Sequence, residues 1–323
     1  MDLSIFFAGT AGSVPSARRG LPATLIRRGG DRILVDCGEG TQRQLLRSVG
    51  LADVTDVFLT HFHADHWLGL PGMLKSFDLR DRDRPLTIHG PPGTKKLLNA
   101  VKFVWGGTGY DITLVELEPG EAVQRDGYAI TPIPVRHRGP AYGYALVEDD
   151  RPGRFDAELA QRLGVPFGPD FGRLQRGETV NGVAPEQVIG ETRAGRKLVL
   201  SGDTRPCEAL ATAAHEADVL VHEATFAHED AERARDTQHS TAIEAAELAR
   251  DAGVRLLALT HLSARYPGGV IRDEARTVFP RSEVPRDFDA IDVPFPEKGL
   301  PELIRWAPAN AASPAPPVPE AAP

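Results

Sequence analysis

Short apolar runs separated by turn-forming residues recur along the whole chain. Residues 3–9 (LSIFFAG), 32–38 (RILVDCG), 54–61 (VTDVFLTH), 85–90 (PLTIHG) and 128–137 (YAITPIPVRH) have the length and β-branched content of buried or half-buried strands. So do residues 141–148 (AYGYALVE), 197–203 (KLVLSGD), 217–224 (ADVLVHEA) and 254–261 (VRLLALTH). Helical spacing lies between them, at 40–50, 92–104, 207–216 and 240–253. The last has a strong Ala/Leu period and a loose capping box that starts at Ser240. Early strands followed by strands alternating with helices predict a layered α/β architecture.

Two stretches break the rhythm. Residues 148–178 are rich in Gly, Pro and charge, with one short helical piece at 155–163, and are expected to leave the globule as an excursion. Residues 301–323 end the chain in an Ala/Pro-rich tail with too little apolar surface to fold, expected to be disordered. The rest, residues 1–300, is expected to form one domain.

Composition changes this picture little. Of 323 residues, 41% are apolar and 25% charged, as in an ordinary globular protein. Two cysteines, no basic start followed by an apolar stretch, and no long apolar run predict a cytoplasmic protein without a membrane segment. The net charge of -8 argues against a nonspecific polyanion binder, although a local basic groove can coexist with it. Arg18-Arg19, Arg27-Arg28 and the arginines of 80–84 are expected on the solvated surface. His89, His215, His228, Cys37 and Cys207 are given no chemistry.

The candidate chemistry sits where strands end. Residues 58–73 read FLTHFHADHWLGLPGM, crowding His61, His63, Asp65 and His66 behind one strand. Other apolar runs end at His137, at Asp203, at His222-Glu223 and at His261. Rigid strands that each deliver an imidazole or a carboxylate at one end are what a dinuclear metal site needs. His61 and His63 can face one cation, Asp65 and His66 a neighbour, and Asp203, with two oxygens, is the natural shared ligand. Imidazole and carboxylate suit zinc, manganese or iron. Gly69-Leu70-Pro71-Gly72 behind them is either part of a substrate slot or a helix-entry turn.

LVDCGEGTQRQLLR, THFHADHWLGLPGML, LTIHGPPGTKKLLNA, VPFGPDFGRLQRGETV, SGDTRPCEAL, HEATF, HSTAIEAAELA and LTHLSARY, in that order and spacing, resemble the signatures of the metallo-β-lactamase superfamily and, within it, of the short-form ribonuclease Z family. The resemblance covers about residues 1–295. It departs at Ala64 and Gly20, where the family usually has Gly and often has Asn.

The resemblance implies an αββα sandwich with a protruding flexible arm, the stretch 148–178. It implies a zinc-dependent endoribonuclease that removes the 3′ trailer of precursor tRNA. His61, His63, His137 and Asp203 would hold one metal, and Asp65, His66, Asp203 and His261 the other, making two Zn2+ per subunit with Mn2+ the competitor. Asp65 would act as base, His239 as acid and Glu223 as the group that orients His239. Arg151, Arg154, Gly168, Pro169, Arg173 and Arg176 of the arm would meet the RNA. A homodimer is implied, and no other protein partner. Two rival readings remain at this point: another hydrolase on the same fold, and a catalytically silent RNA-binding paralogue.

Overall fold

The computed structural model describes residues 2–51 and 53–307. An eight-stranded sheet runs in the order β15 (Glu302–Ile304), β14 (Ala290–Asp292), β1 (Leu3–Gly9), β2 (Ala23–Arg28), β3 (Asp31–Val35), β4 (Asp56–Phe58), β5 (Leu86–Gly90) and β6 (Ile112–Glu116). A seven-stranded sheet runs β13 (Ser282–Glu283), β12 (Leu257–Thr260), β11 (Val219–Glu223), β10 (Lys197–Leu200), β9 (Tyr142–Glu148), β8 (Tyr128–Pro134) and β7 (Val123–Arg125). In each sheet one half is parallel, β3 to β6 and β10 to β13, and the other half antiparallel.

Three apolar cores follow from this layering. Ile5, Phe7, Ile33, Phe58, Tyr144, Leu198 and Val221 fill the space between the sheets. Leu25, Leu34, Val57, Leu70 and Met73 pack the first sheet under its outer helices. Leu220, Leu259, Leu210, Ala245 and Ala249 do the same for the second. Buried parallel strands read as continuous apolar runs because both faces are covered. The result is the αββα sandwich.

All nine expected strand spans contain strands. The differences are at the edges. The tail does not begin at 301: β15 pairs with β14, Trp306 packs on Phe288, and Arg305 bonds Asp289. Residues 308–323, the Ala/Pro stretch proper, lie outside the described residues. The excursion is also displaced. Glu148 belongs to β9 and is buried, whereas Val180, Val183 and Val188, beyond the expected end, join Phe171 and Leu174 in a separate cluster. That cluster is assembled from apolar residues without strand or helix period, so the sequence pattern stops short of it.

Three expected surface arginines turn inward, among them Arg82, whose side chain is buried over the Phe77 and Tyr110 rings. Arg28 is buried against Glu148, and Arg19 bonds Thr10 Oγ1 and the Pro285 carbonyl. The capping box of the helix Ala242–Asp251 starts at Thr241, one residue later than expected, because Ser240 donates instead to the Thr204 carbonyl.

Candidate metal centre

The C-terminal ends of β4, β8, β10, β11 and β12 meet at one rim. His61 follows β4, His137 follows β8, Asp203 follows β10, Glu223 closes β11 and His261 follows β12. His63 precedes the short helix Ala64–Trp67, which carries Asp65 and His66. Gly69 then precedes the helix Leu70–Asp78, with Pro71 in its first turn, so this segment is a helix entry. Ala64 opens its helix with no left-handed backbone, so its methyl is accommodated.

Asp203 Oδ2 is the centre. The nearest nitrogens of His261, His66, His61, His239 and His137 lie 3.3, 3.4, 3.7, 3.8 and 3.9 Å from it. His63 joins at the exposed side, its Nδ1 3.2 Å from His137 Nε2. His261 Nε2 is also 3.3 Å from Asp65 Oδ2. Three sets have potential ligating atoms within 4.8 Å of one another: His61, His63, His137, Asp203; Asp65, His66, His261; and Asp203, His239, His261.

Hydrogen bonds behind these rings assign their tautomers. His66 Nδ1 lies 2.7 Å from Asp36 Oδ2, an acceptor only, so Nδ1 carries the proton. His137 Nδ1 donates to the Gln238 carbonyl at 2.9 Å. The Thr60 hydroxyl gives its proton to Asp36 at 2.9 Å and so accepts from His61 Nδ1 at 3.0 Å. The Thr225 hydroxyl gives its proton to Glu223 at 2.6 Å and so accepts from His261 Nδ1 at 2.9 Å. Four imidazoles are thereby left with Nε2 turned toward the centre. His61 Nε2 is buried with no hydrogen-bond partner among the described residues. Converging nitrogen lone pairs around a carboxylate oxygen fit divalent cations.

Electrostatics agree. Burial pushes Asp203 up, but His261 and His66 outweigh it and hold it far below the usual carboxylate range. Burial likewise opposes ionisation of Asp65, and the neighbouring His261 and His66 together outweigh it. Burial lowers His61, His63 and His137. His66 is raised despite burial by Asp203 and Asp36; a cation would take the place of the proton.

Beside the centre stands a second pair. His239 Nδ1 donates to Glu223 Oε1 at 2.8 Å. The Glu223 carboxylate also accepts from Thr204 N–H at 2.9 Å, and from Thr225 N–H at 3.2 Å. Burial works against a charge on His239, yet Glu223 raises it to about 9. His222 is buried one residue before Glu223 and so points to the other face of the sheet, its Nδ1 bonded to the Glu223 carbonyl.

Several participants are given no role by the sequence pattern, although Asp36, Thr60 and Thr225 stand inside the signature stretches. Asp36, Thr60 and Thr225 orient the rings. Ser13, with φ 61°, donates its peptide N–H to Asp65 Oδ2 at 2.8 Å. Next to it, a Cβ on Gly12 would stand 2.5 Å from His261 Nδ1, so only glycine lets this loop lie against the ring. In the structure, Asp36 and His261 have positive φ, as strained positions at functional sites often do.

The arm residues are elsewhere. Arg151 is paired with Glu297, Arg173 with Asp170 and Glu178, and Arg176 with Glu178. Arg154 is exposed. Gly168 and Pro169 open the helix Pro169–Gln175 beside Phe167, which is 83% exposed. The arm leaves from the ends of β9 and β10 that lie opposite the metal rim.

Fold and centre together define a metallo-β-lactamase-type hydrolase. A family model described as "Beta-lactamase superfamily domain" matches residues 31–262. Ribonuclease Z of Haloferax volcanii is 47% identical over 305 residues, covering 91% of this chain and 96% of that protein. Ribonuclease Z of Myxococcus xanthus is 50% identical over 270 residues, covering 82% and 88%. Among solved structures, human tRNase Z, short form, superposes with a TM-score of 0.67 at 25% identity, covering 90% of this chain and 99% of that one. The Bacillus subtilis metallo-β-lactamase fold protein YhfI, at 19% identity and a TM-score of 0.67, shares the fold. The chain belongs to the ribonuclease Z family of the metallo-β-lactamase superfamily. Its activity class is that of a metal-dependent nuclease. Among the described residues no helix is long and apolar enough to cross a membrane.

Proposed function

We propose that the protein is an endoribonuclease that removes the 3′ trailer from precursor tRNA, with two zinc ions per subunit. The carrying observation is the set of four imidazoles, each held in one tautomer by its own partner and turned onto Asp203. His61, His63, His137 and Asp203 would hold one ion, and Asp65, His66, Asp203 and His261 the other. When bound, the ions would supply Lewis acidity for a phosphodiester oxygen and for the attacking water. The residues do the rest. Asp65, fixed by Ser13 N–H, orients the water and takes its proton. Attack on phosphorus in line breaks the bond to the 3′-oxygen. His239, kept protonated by Glu223, gives that oxygen a proton from Nε2. The products are a tRNA with a 3′-OH and a trailer with a 5′-phosphate.

The arm would hold the RNA away from the centre. Its root at the rim opposite the metals supports a homodimer in which each arm serves the partner's centre. Light scattering at micromolar protein should then give twice the chain mass; a fully active monomer would contradict it. A cytoplasmic location fits the two unpaired cysteines.

The test is cleavage of a 5′-labelled precursor tRNA carrying a 3′ trailer, by the zinc-loaded protein beside Asp65→Ala. One cut after the discriminator base, lost in the variant, is expected. No cut by the zinc-loaded wild type would move the function to another phosphodiester.

A further inference from the structure

Residues 151–193 leave the sandwich through a two-stranded neck. Arg151 and Arg193 face each other there, exchanging N–H···O bonds of 2.7 and 2.9 Å. The strands run so close that a Cβ on Gly153 would meet the Gly190 carbonyl oxygen at 1.8 Å. Beyond the neck, Ala160, Val165, Phe171, Leu174, Val180 and Val188 bury on one another, apart from the three cores of the sandwich. A small globule on a narrow stalk has no fixed angle unless something braces the stalk.

The brace comes from the far end of the chain. After β14 the segment 293–298 passes the neck. Glu297 Oε1 accepts from Arg151 Nη1 at 2.8 Å and from Arg193 Nη1 at 3.1 Å, while Oε2 accepts from Arg151 Nη2 at 3.1 Å. One carboxylate therefore ties both strands of the neck. Phe295 lies under the Arg151 guanidinium at 3.5 Å and under that of Arg196 at 4.1 Å. Arg196 is itself anchored in the sandwich by Glu148 and by the Val293 carbonyl. The contacts thus run unbroken from core to neck: Glu148, Arg196, Phe295, Arg151, Glu297, Arg193. An isolated exposed ion pair contributes little. Here the carboxylate is bidentate to one guanidinium and shared with a second. Without it, Arg151 and Arg193 would be left as like charges side by side.

We propose that Glu297, seated on the Phe295 platform, is a positioning residue that fixes the angle of the arm and thereby the grip on the RNA. The proposal rests on the reading of the arm as an RNA clamp. It also reassigns Arg151: its guanidinium serves the brace and does not reach for phosphate.

The experiment compares full-length, zinc-loaded Glu297→Gln with wild type by three measurements. Amide hydrogen exchange at residues 151–153 and 190–193 should accelerate by roughly three- to tenfold, as for loss of a charge-assisted pair. KM for precursor tRNA should rise by roughly the same factor, with kcat and the turnover of bis-p-nitrophenyl phosphate unchanged, as for loss of binding alone. Arg193→Gln in the Glu297→Gln background should add almost nothing further, since the pair acts as a unit. Unchanged neck exchange, or an unchanged KM beside faster exchange, would overturn the proposal; so would a parallel fall in small-ester turnover. If wild type does not cut precursor tRNA, the RNA reading fails, and neck exchange still decides whether the brace exists.

Discussion

Asp36 shows how much of the centre depends on a residue that would touch no metal. Its carboxylate accepts from Thr60 N–H at 2.8 Å, from the Thr60 hydroxyl and from His66 Nδ1, and through Thr60 it also sets His61. In Asp36→Asn an amide N–H faces His66 Nδ1, which favours the tautomer with Nε2–H toward the centre. Zinc affinity and kcat should fall by about 10- to 100-fold, with KM for RNA little changed. Zinc retained through graded chelator dialysis at wild-type levels would contradict this. Cys37, the neighbouring residue, should be inert. Burial pushes its thiol up to about 12, against a lowering hydrogen bond with Thr41. Thiol labelling at neutral pH should therefore modify the half-exposed Cys207 first and reach Cys37 only on unfolding. The candidate ligands were legible in the sequence because His61, His63, Asp65 and His66 crowd behind one strand. Asp36, 30 positions from His66, and Thr225, 36 positions from His261, were not. A hydrogen bond between distant segments leaves no local pattern, and a backbone donor such as Ser13 N–H has no side-chain signature at all.

Among the elements, the helix Ala242–Asp251 holds the acid side of the centre. It begins just after His239 and Ser240, and Thr241 caps it: Thr241 Oγ1 accepts from Glu244 N–H at 3.2 Å, and Glu244 accepts from Thr241 N–H at 2.9 Å. Glu244 also pairs with Arg205, whose side chain reaches the His239 carbonyl. Thr241→Ala should cost about 1 kcal/mol, read as a lower denaturant midpoint at unchanged slope. A midpoint equal to wild type would mean that the Arg205–Glu244 pair alone sets the turn. The period of this helix is plain in the sequence, but the pattern sets its cap one residue early. Ser240 and Thr241 have equal capping chemistry, and only the tertiary bond of Ser240 to Thr204 separates them. The bounds of the arm escape the sequence pattern for a related reason. Val180, Val183 and Val188 are spaced for neither strand nor helix, and they count as core only once Phe171 and Leu174 lie against them. β15 has the pattern of a tail because three residues carry too little signal; its pairing with β14 makes it a strand.

At the scale of the whole molecule, the two sheets are joined by charge at the rim opposite the metals. Arg28 of β2 and Arg196, just before β10, share the Glu148 carboxylate of β9, with bonds of 2.7 to 2.8 Å. Side-chain exposures of 9%, 2% and 4% for Arg28, Arg196 and Glu148 place all three out of water. Such a triad is weak evidence for net stabilisation, but breaking it from one side is severe, because the remaining charges stay buried. Glu148→Gln keeps the shape and removes a carboxylate that the two arginines share. It should destabilise the fold by about 3–5 kcal/mol at neutral pH, measured by reversible denaturation, while turnover of a small phosphodiester per folded molecule stays near wild type. The pH dependence has a definite sign. Burial raises the Glu148 carboxyl, but Arg196 and Arg28 outweigh it, so its folded value lies below the ordinary 4.5. A depressed folded value means the carboxylate's contribution is complete above the unfolded value and is lost as pH falls through the folded one. The stability gap between wild type and Glu148→Gln should therefore be constant from neutral pH down to about 4.5 and close below it. A gap that persisted unchanged at pH 3 would show that the variant loses packing and not charge, and that the sandwich is joined at this rim by shape alone.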